Sequence, residues 1–227
     1  MTALRFLDTP ETQTVGAIAA TLPGATEVFR RFRIDFCCGG ATTLTEAARA
    51  KGVPVADITA ALAALAAAQG ASAPEETGAL IEHIVLRYHE THRREMPELI
   101  SLAQRVEARH ADHPQNPQGL VRLLKTMAVA MEDHMAKEEM VLFPMMRAGG
   151  NPMIGHPIAC MRHEHDEHGD KLAALDDLTR HRALPDDACT TWRALYAGID
   201  KFVADLTEHV HLENNVLFPR FEERRNA

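Results

Sequence analysis

One eleven-residue pattern, His-x-x-x-Glu-x-x-x-Leu-Phe-Pro, occurs twice, from His134 to Pro144 and from His209 to Pro219, 75 residues apart. Upstream of each copy stands a His-x-x-His pair, His89/His92 and His165/His168, 76 residues apart. A repeat in this register reads as two helical hairpins related by duplication. Each hairpin offers one histidine from its first helix and a His-x-x-x-Glu pair from its second. An i, i+4 spacing puts both members of that pair on one helical face.

The faces are apolar stripes of helical period. Helix 118–147 presents Leu120, Leu124, Met127 and Met131, then His134 and Glu138, then Val141 and Met145. Helix 187–222 presents Trp192, Leu195, Ile199, Phe202 and Leu206, then His209 and Glu213, then Val216. Helix 77–110 gives Ile81, Val85, His89, His92, Met96 and Leu99, and the helix from about Pro157 gives Met161, His165, His168, Leu172 and Leu175. In all four the stripe turns polar over the same short stretch. Connections such as Gly149-Gly150-Asn151-Pro152 are short, so the expected architecture is an up-down-up-down four-helix bundle. Pro97 predicts a kink, and the Phe-Pro closing each repeat is expected to end its helix, with a kink beyond the site as the alternative.

A carboxylate inside an apolar bundle is costly unless a cation or strong donor compensates it. No Lys or Arg falls on the polar stretch of these stripes. Two metal ions held by His89, His134, His165, His209, Glu138 and Glu213 resolve the conflict. His92 and His168 are placed outside direct ligation, beside the ligands. Glu139, Glu164 and Glu167 are read as solvated or as neighbours of the ligands. Imidazole with carboxylate suits iron, manganese or zinc. Two shared glutamates and four imidazoles give eight bonds, against about twelve for two octahedral ions. An oxo or hydroxo bridge then leaves about one open position per metal, for O₂, NO or peroxide.

Ahead of the bundle, residues 1–69 read as a small helical domain, and 70–76 as a linker of small and polar residues before the bundle of 77–227. Thr43 and Glu46 have capping-box spacing. The loop Asp35-Phe36-Cys37-Cys38-Gly39-Gly40 carries two adjacent thiols. Their Cα atoms lie about 3.8 Å apart, under the usual disulfide range, so both are expected reduced, either as an inert loop pair or as thiols available for metal contact, disulfide exchange or NO. Cys160 and Cys189 are expected to be structural. The whole chain reads as all-α, because Ala, Leu, Glu, Met and Arg dominate and strand-forming runs are short.

The net charge of −8 without a basic run argues against nucleic acid as a partner. No stretch of about 18 apolar residues predicts a membrane span, and the N-terminus lacks a signal-peptide pattern. The cytoplasm is the expected compartment.

Together these motifs resemble the iron–sulfur cluster repair di-iron proteins, the RIC family also called ScdA or YtfE, over nearly the whole length. The Cys-Cys-Gly-Gly loop resembles that family's N-terminal signature. Arg87-Tyr88-His89, the two His-x-x-x-Glu strings and Glu164-His165-Asp166-Glu167 fit its hemerythrin-like bundle. The resemblance implies two iron ions as cofactor, oxo- or hydroxo-bridged when oxidised. It implies ligands His89, His134, His165 and His209, with Glu138 and Glu213 bridging. It also implies repair of clusters damaged by nitrosative or oxidative stress, with cluster proteins as partners and NO or O₂ as small ligands. NO reduction to N₂O and hemerythrin-like gas binding or sensing are the alternative activities, Cys37 and Cys38 are candidate reactive residues, and a homodimer is one oligomeric option.

Overall fold

The computed structural model describes residues 10–22, 25–36, 39–66 and 76–222. Cys37, Cys38 and nearly all of the expected linker lie outside them. The described residues are helical, and their only β feature is an isolated bridge between Thr14 and Thr43. By contacts the chain groups into two units, Ile81–Leu206 and Met1–Leu80 with Thr207–Ala227. Both boundaries, Leu80/Ile81 and Leu206/Thr207, fall inside helices.

In the unit that contains the N-terminus, α1 (Val15–Thr21) starts at Thr14, whose hydroxyl accepts from the Ala17 amide. After α2 (Ala25–Arg31), α3 (Leu44–Lys51) opens with the full Thr43/Glu46 capping box and stops at left-handed Gly52. α4 (Val55–Ala66) follows Pro54. Val15, Ile18, Phe29, Phe36, Leu44, Ile58 and Leu62 form the core.

The long helices come next. The first comprises α5 (Thr77–Ile84), a π-helical turn over Val85–His89 and α6 (Glu90–Arg109). The second comprises α7 (Leu120–Lys137), a π turn over Glu138–Leu142 and α8 (Phe143–Arg147). α9 (Gly155–Leu178) is the third. The fourth comprises α10 (Thr190–His211), a π turn over Leu212–Leu217 and α11 (Pro219–Glu222). Cross-links fix antiparallel register. Glu139 reaches His89 while Glu107 takes the Val121 amide, and Arg87 reaches Asp205 while Glu95 takes Lys201.

α6 continues through Pro97, and a π turn that the sequence did not announce ends at His89. One expectation needs correction: Phe-Pro does not end its helix, since α8 and α11 continue beyond it. Each π turn closes with an i→i+5 bond: Phe143 N–H to Glu138 O, and Phe218 N–H to Glu213 O at 2.8 Å. The proline that follows lacks an N–H and has a preset φ, so it fits the first turn of the next segment.

Candidate metal centre

The six residues singled out in the sequence are buried. His89, Glu138, His165 and Glu213 are at 0% exposure, His209 at 1% and His134 at 2%. The duplicated register of the sequence places each of them where an apolar stripe turns polar. Glu138 Oε2 lies 3.5 Å from both His89 Nε2 and His134 Nε2. His209 Nε2 lies 3.1 Å from Glu213 Oε1. The structure gathers the six into two groups, His89/Glu138/His209/Glu213 and His134/Glu138/His165/Glu213. Within each group the ligand atoms all lie within 4.8 Å of one another. Both groups contain the same two glutamates.

The chemistry of this donor set fits a pair of cations. Each group offers two imidazole nitrogens and two carboxylate oxygens, a borderline set suited to first-row transition metals. His165 Nε2 and His134 Nε2 face each other at 3.1 Å, a separation that calls for a proton or a cation between two ring nitrogens. The described residues of this unit pair Arg93 and Lys137 with the outer carboxylates described next, not with Glu138.

The far nitrogens of two histidines are anchored. His89 Nδ1 lies 2.7 Å from Glu139 Oε1, which also accepts from Arg93 at 2.9 Å. His134 Nδ1 lies 2.9 Å from Glu164 Oε2, and the other Glu164 oxygen accepts from Lys137 at 2.8 Å. A carboxylate there makes the ring donate Nδ1–H, which leaves the Nε2 lone pair facing inward. Burial pushes the Glu164 carboxyl up, but the Lys137 ammonium and the His134 ring outweigh it and hold it at about 2. Glu139 and Glu164 thus orient two of the candidate ligands, whereas Glu167 pairs with Lys171 at the surface. The signal in the sequence was slight: each acid adjoins a ligand, and Arg93 and Lys137 stand four and three residues after one. His92 and His168 are buried but belong to neither group. His92 meets Phe202 edge-on at 5.7 Å, and His168 meets His134 at 5.0 Å. Phe143 stacks on His89 with ring centroids 5.8 Å apart.

Sequence reasoning also missed what holds the glycines beside Cys37 and Cys38. Asn215, two residues after Glu213, donates to Phe36 O at 3.2 Å. A Cβ on Gly40 would fall 2.6 Å from Asn215 Oδ1 and 3.0 Å from Phe36 O, so only glycine fits there. His211 meets Phe36 edge-on at 5.3 Å. Burial pushes the His211 imidazole down to about 4, with the Phe36 and Ala19 carbonyls opposing the shift, so this ring is neutral at ordinary pH.

The fold and the donor set define a metal-binding helical bundle. A family model described as a hemerythrin HHE cation binding domain matches residues 80–221, and one described as a domain of unknown function (DUF542) matches residues 11–66. An iron–sulfur cluster repair protein YtfE of Dickeya chrysanthemi is 44% identical over 211 residues, covering 92% of this chain and 96% of the relative. A probable iron–sulfur cluster repair protein of Haemophilus influenzae is 41% identical over 213 residues, with the same two coverages. A YtfE protein of Yersinia pseudotuberculosis is 43% identical over 211 residues, again at 92% and 96%. The chain belongs to the family of iron–sulfur cluster repair proteins that carry a hemerythrin HHE domain. No helix among the described residues is long and apolar enough to cross a membrane.

Proposed function

We propose that His89, His134, His165 and His209 hold two iron ions sharing Glu138 and Glu213, and that the loaded protein repairs iron–sulfur clusters damaged by nitrosative or oxidative stress. One observation carries the reading: two fully buried carboxylates belong to both donor groups. The relatives' role in cluster repair, given by their names, supports the assignment of task. Bound iron supplies redox chemistry, open positions for NO or O₂, and metal for transfer. The chain's own residues orient and shield the centre. Glu139 and Glu164 fix the His89 and His134 tautomers, and the Phe143 ring covers His89. The proposed division is a Cys37/Cys38 domain over 1–69, a linker over 70–76 and the iron-holding bundle over 77–227, acting in the cytoplasm. In it the two thiols serve as the docking or relay element toward a damaged partner.

The test is recovery of a cluster enzyme inactivated by NO, using anaerobic protein with or without iron. Recovery that requires the iron-loaded form, and is lost in His209→Ala, supports the proposal. Equal recovery by iron-free protein refutes it.

A further inference from the structure

Beyond His110, which closes α6, the chain carries a second constellation of reactive groups. It lies about 30 Å along the helix from His89, since α6 is 20 residues long at about 1.5 Å per residue. Cys189, immediately before α10, is only half-buried, and its Sγ lies 3.2 Å from His110 Nε2. The His110 ring is held in place by Trp192, with centroids 4.9 Å apart. His113 packs on the same indole at 5.3 Å and pairs with Asp187 at 3.3 Å, which ties the 110–117 connection to the segment entering α10.

The thiol opens into a cavity of about 480 Å³ lined by Arg105, Ala108, Arg109, Cys189 and Thr191. That volume is within the usual range for small-molecule sites, about 300–1,000 Å³. Neither arginine has a carboxylate partner among the described residues, and Arg105 is bonded only to Ser101. Thr191 brings the first turn of the 22-residue α10 to the same cavity, where unpaired amides favour an anion. A nucleophile and two uncommitted cations therefore line one concave surface, and a proton acceptor is in contact with the nucleophile.

We infer that Cys189 and His110 form a thiol–disulfide exchange site for an anionic low-molecular-weight disulfide of the glutathione type, whose carboxylates Arg105 and Arg109 bind. His110 Nε2 takes the Cys189 proton. The thiolate attacks one sulfur of the disulfide, the S–S bond breaks, and a new S–S bond joins that half to Cys189. The other half leaves as a thiolate and recovers the proton from His110. One disulfide and one thiol become a mixed disulfide and a thiol, with no other oxidant consumed. Cys160 is the internal contrast. It is exposed, but its thiol donates to Glu164 at 3.4 Å, and burial together with that carboxylate pushes it up. A negative neighbour repels the ligand that Arg105 and Arg109 attract.

The experiment treats the full-length, metal-loaded protein with glutathione disulfide, neutral hydroxyethyl disulfide or cationic cystamine, and follows each cysteine by peptide mass spectrometry. Cys189 is expected to react with glutathione disulfide at least about tenfold faster than Cys160 and faster than with cystamine, the size of a local steering effect. Arg105→Ala with Arg109→Ala is expected to slow glutathione disulfide about tenfold and leave hydroxyethyl disulfide unchanged. His110→Gln is expected to slow all three reagents alike by about a hundredfold. Wild-type protein alone decides the matter if a variant loses helicity. The inference is overturned if Cys189 reacts with glutathione disulfide no faster than Cys160 does, or prefers cystamine. Neither result bears on iron binding or cluster repair.

Discussion

Replacing Glu138 with Gln separates a metal-held carboxylate from a structural one, because the two predict opposite signs in metal-free protein. Glu138 and Glu213 are at 0% exposure, and ligand oxygens of the two lie within 4.8 Å. At an effective dielectric near 20, two unit charges at that distance repel by about 3 kcal/mol. In the metal-free protein at about pH 8, Gln removes that repulsion and keeps the shape. For a chain of this size, a gain of about 3 kcal/mol raises Tm by roughly 6–12 °C. In the loaded protein, the same change removes one oxygen donor from both groups. The linkage energy, about 2.7 kcal/mol when free metal is a hundred times its Kd, falls as affinity falls, and Tm drops. Thermal unfolding by circular dichroism, with and without chelator, reads both arms. If Glu138→Gln lowers Tm of the metal-free protein, the carboxylate is there for structural hydrogen bonds and the reasoning fails.

Glu164→Gln and Glu139→Gln, each expected to weaken metal binding about 10–100-fold, contrast with Glu167→Gln, expected to leave it unchanged; chelator competition measures all three. Asp205 is buried, which pushes its carboxyl up, but Arg87 and Lys201 more than reverse that and hold it below the usual carboxylate range. Its folded pKa lies below its unfolded one, so its contribution is complete above about pH 4 and is lost as pH falls through the folded value. Asp205→Asn therefore costs about 1–3 kcal/mol at neutral pH, and urea unfolding at several pH values should show the gap to wild type closing in acid. Gly40→Ala is expected to cost about 1–3 kcal/mol by forcing Asn215 and Phe36 apart, read as an earlier thermal unfolding of the metal-loaded protein.

How far the sequence could be read follows from what sets each feature. Helix existence and the aligned polar interruption depend on the 3.6-residue period and the duplication, both visible in residue identities. Capping at Thr43/Glu46 and termination at Gly52 depend on local side-chain chemistry and came through intact. The outer carboxylates depend on which residue of one helix meets which residue of its neighbour. Glu139 next to Glu138 and Glu164 next to His165 look like solvent-facing charge until the antiparallel register brings them against His89 and His134.

The π turns were the larger omission, and their consequence is visible in burial. An α-helical phase carried past Glu138 puts Val141 and Met145 inward, yet Val141 is 52% exposed while Leu142 and Met146 are buried at 1%. The second repeat shifts the same way, burying Leu217 at 0% where the period pointed to Val216. In the first long helix the shift falls just before the ligand, with Ile84 at 0% and Tyr88 and His89 buried. One extra residue per widened turn moves the apolar stripe by about 100°, so a strict period read from either side disagrees at the ligand. In the first and second long helices the π turn contains a candidate ligand, His89 or Glu138, and in the fourth it contains Glu213. Such turns tend to occur at functional sites. Here the break in phase points to the candidate residues from the backbone alone, because each of the three widened turns contains one of them, His89, Glu138 or Glu213.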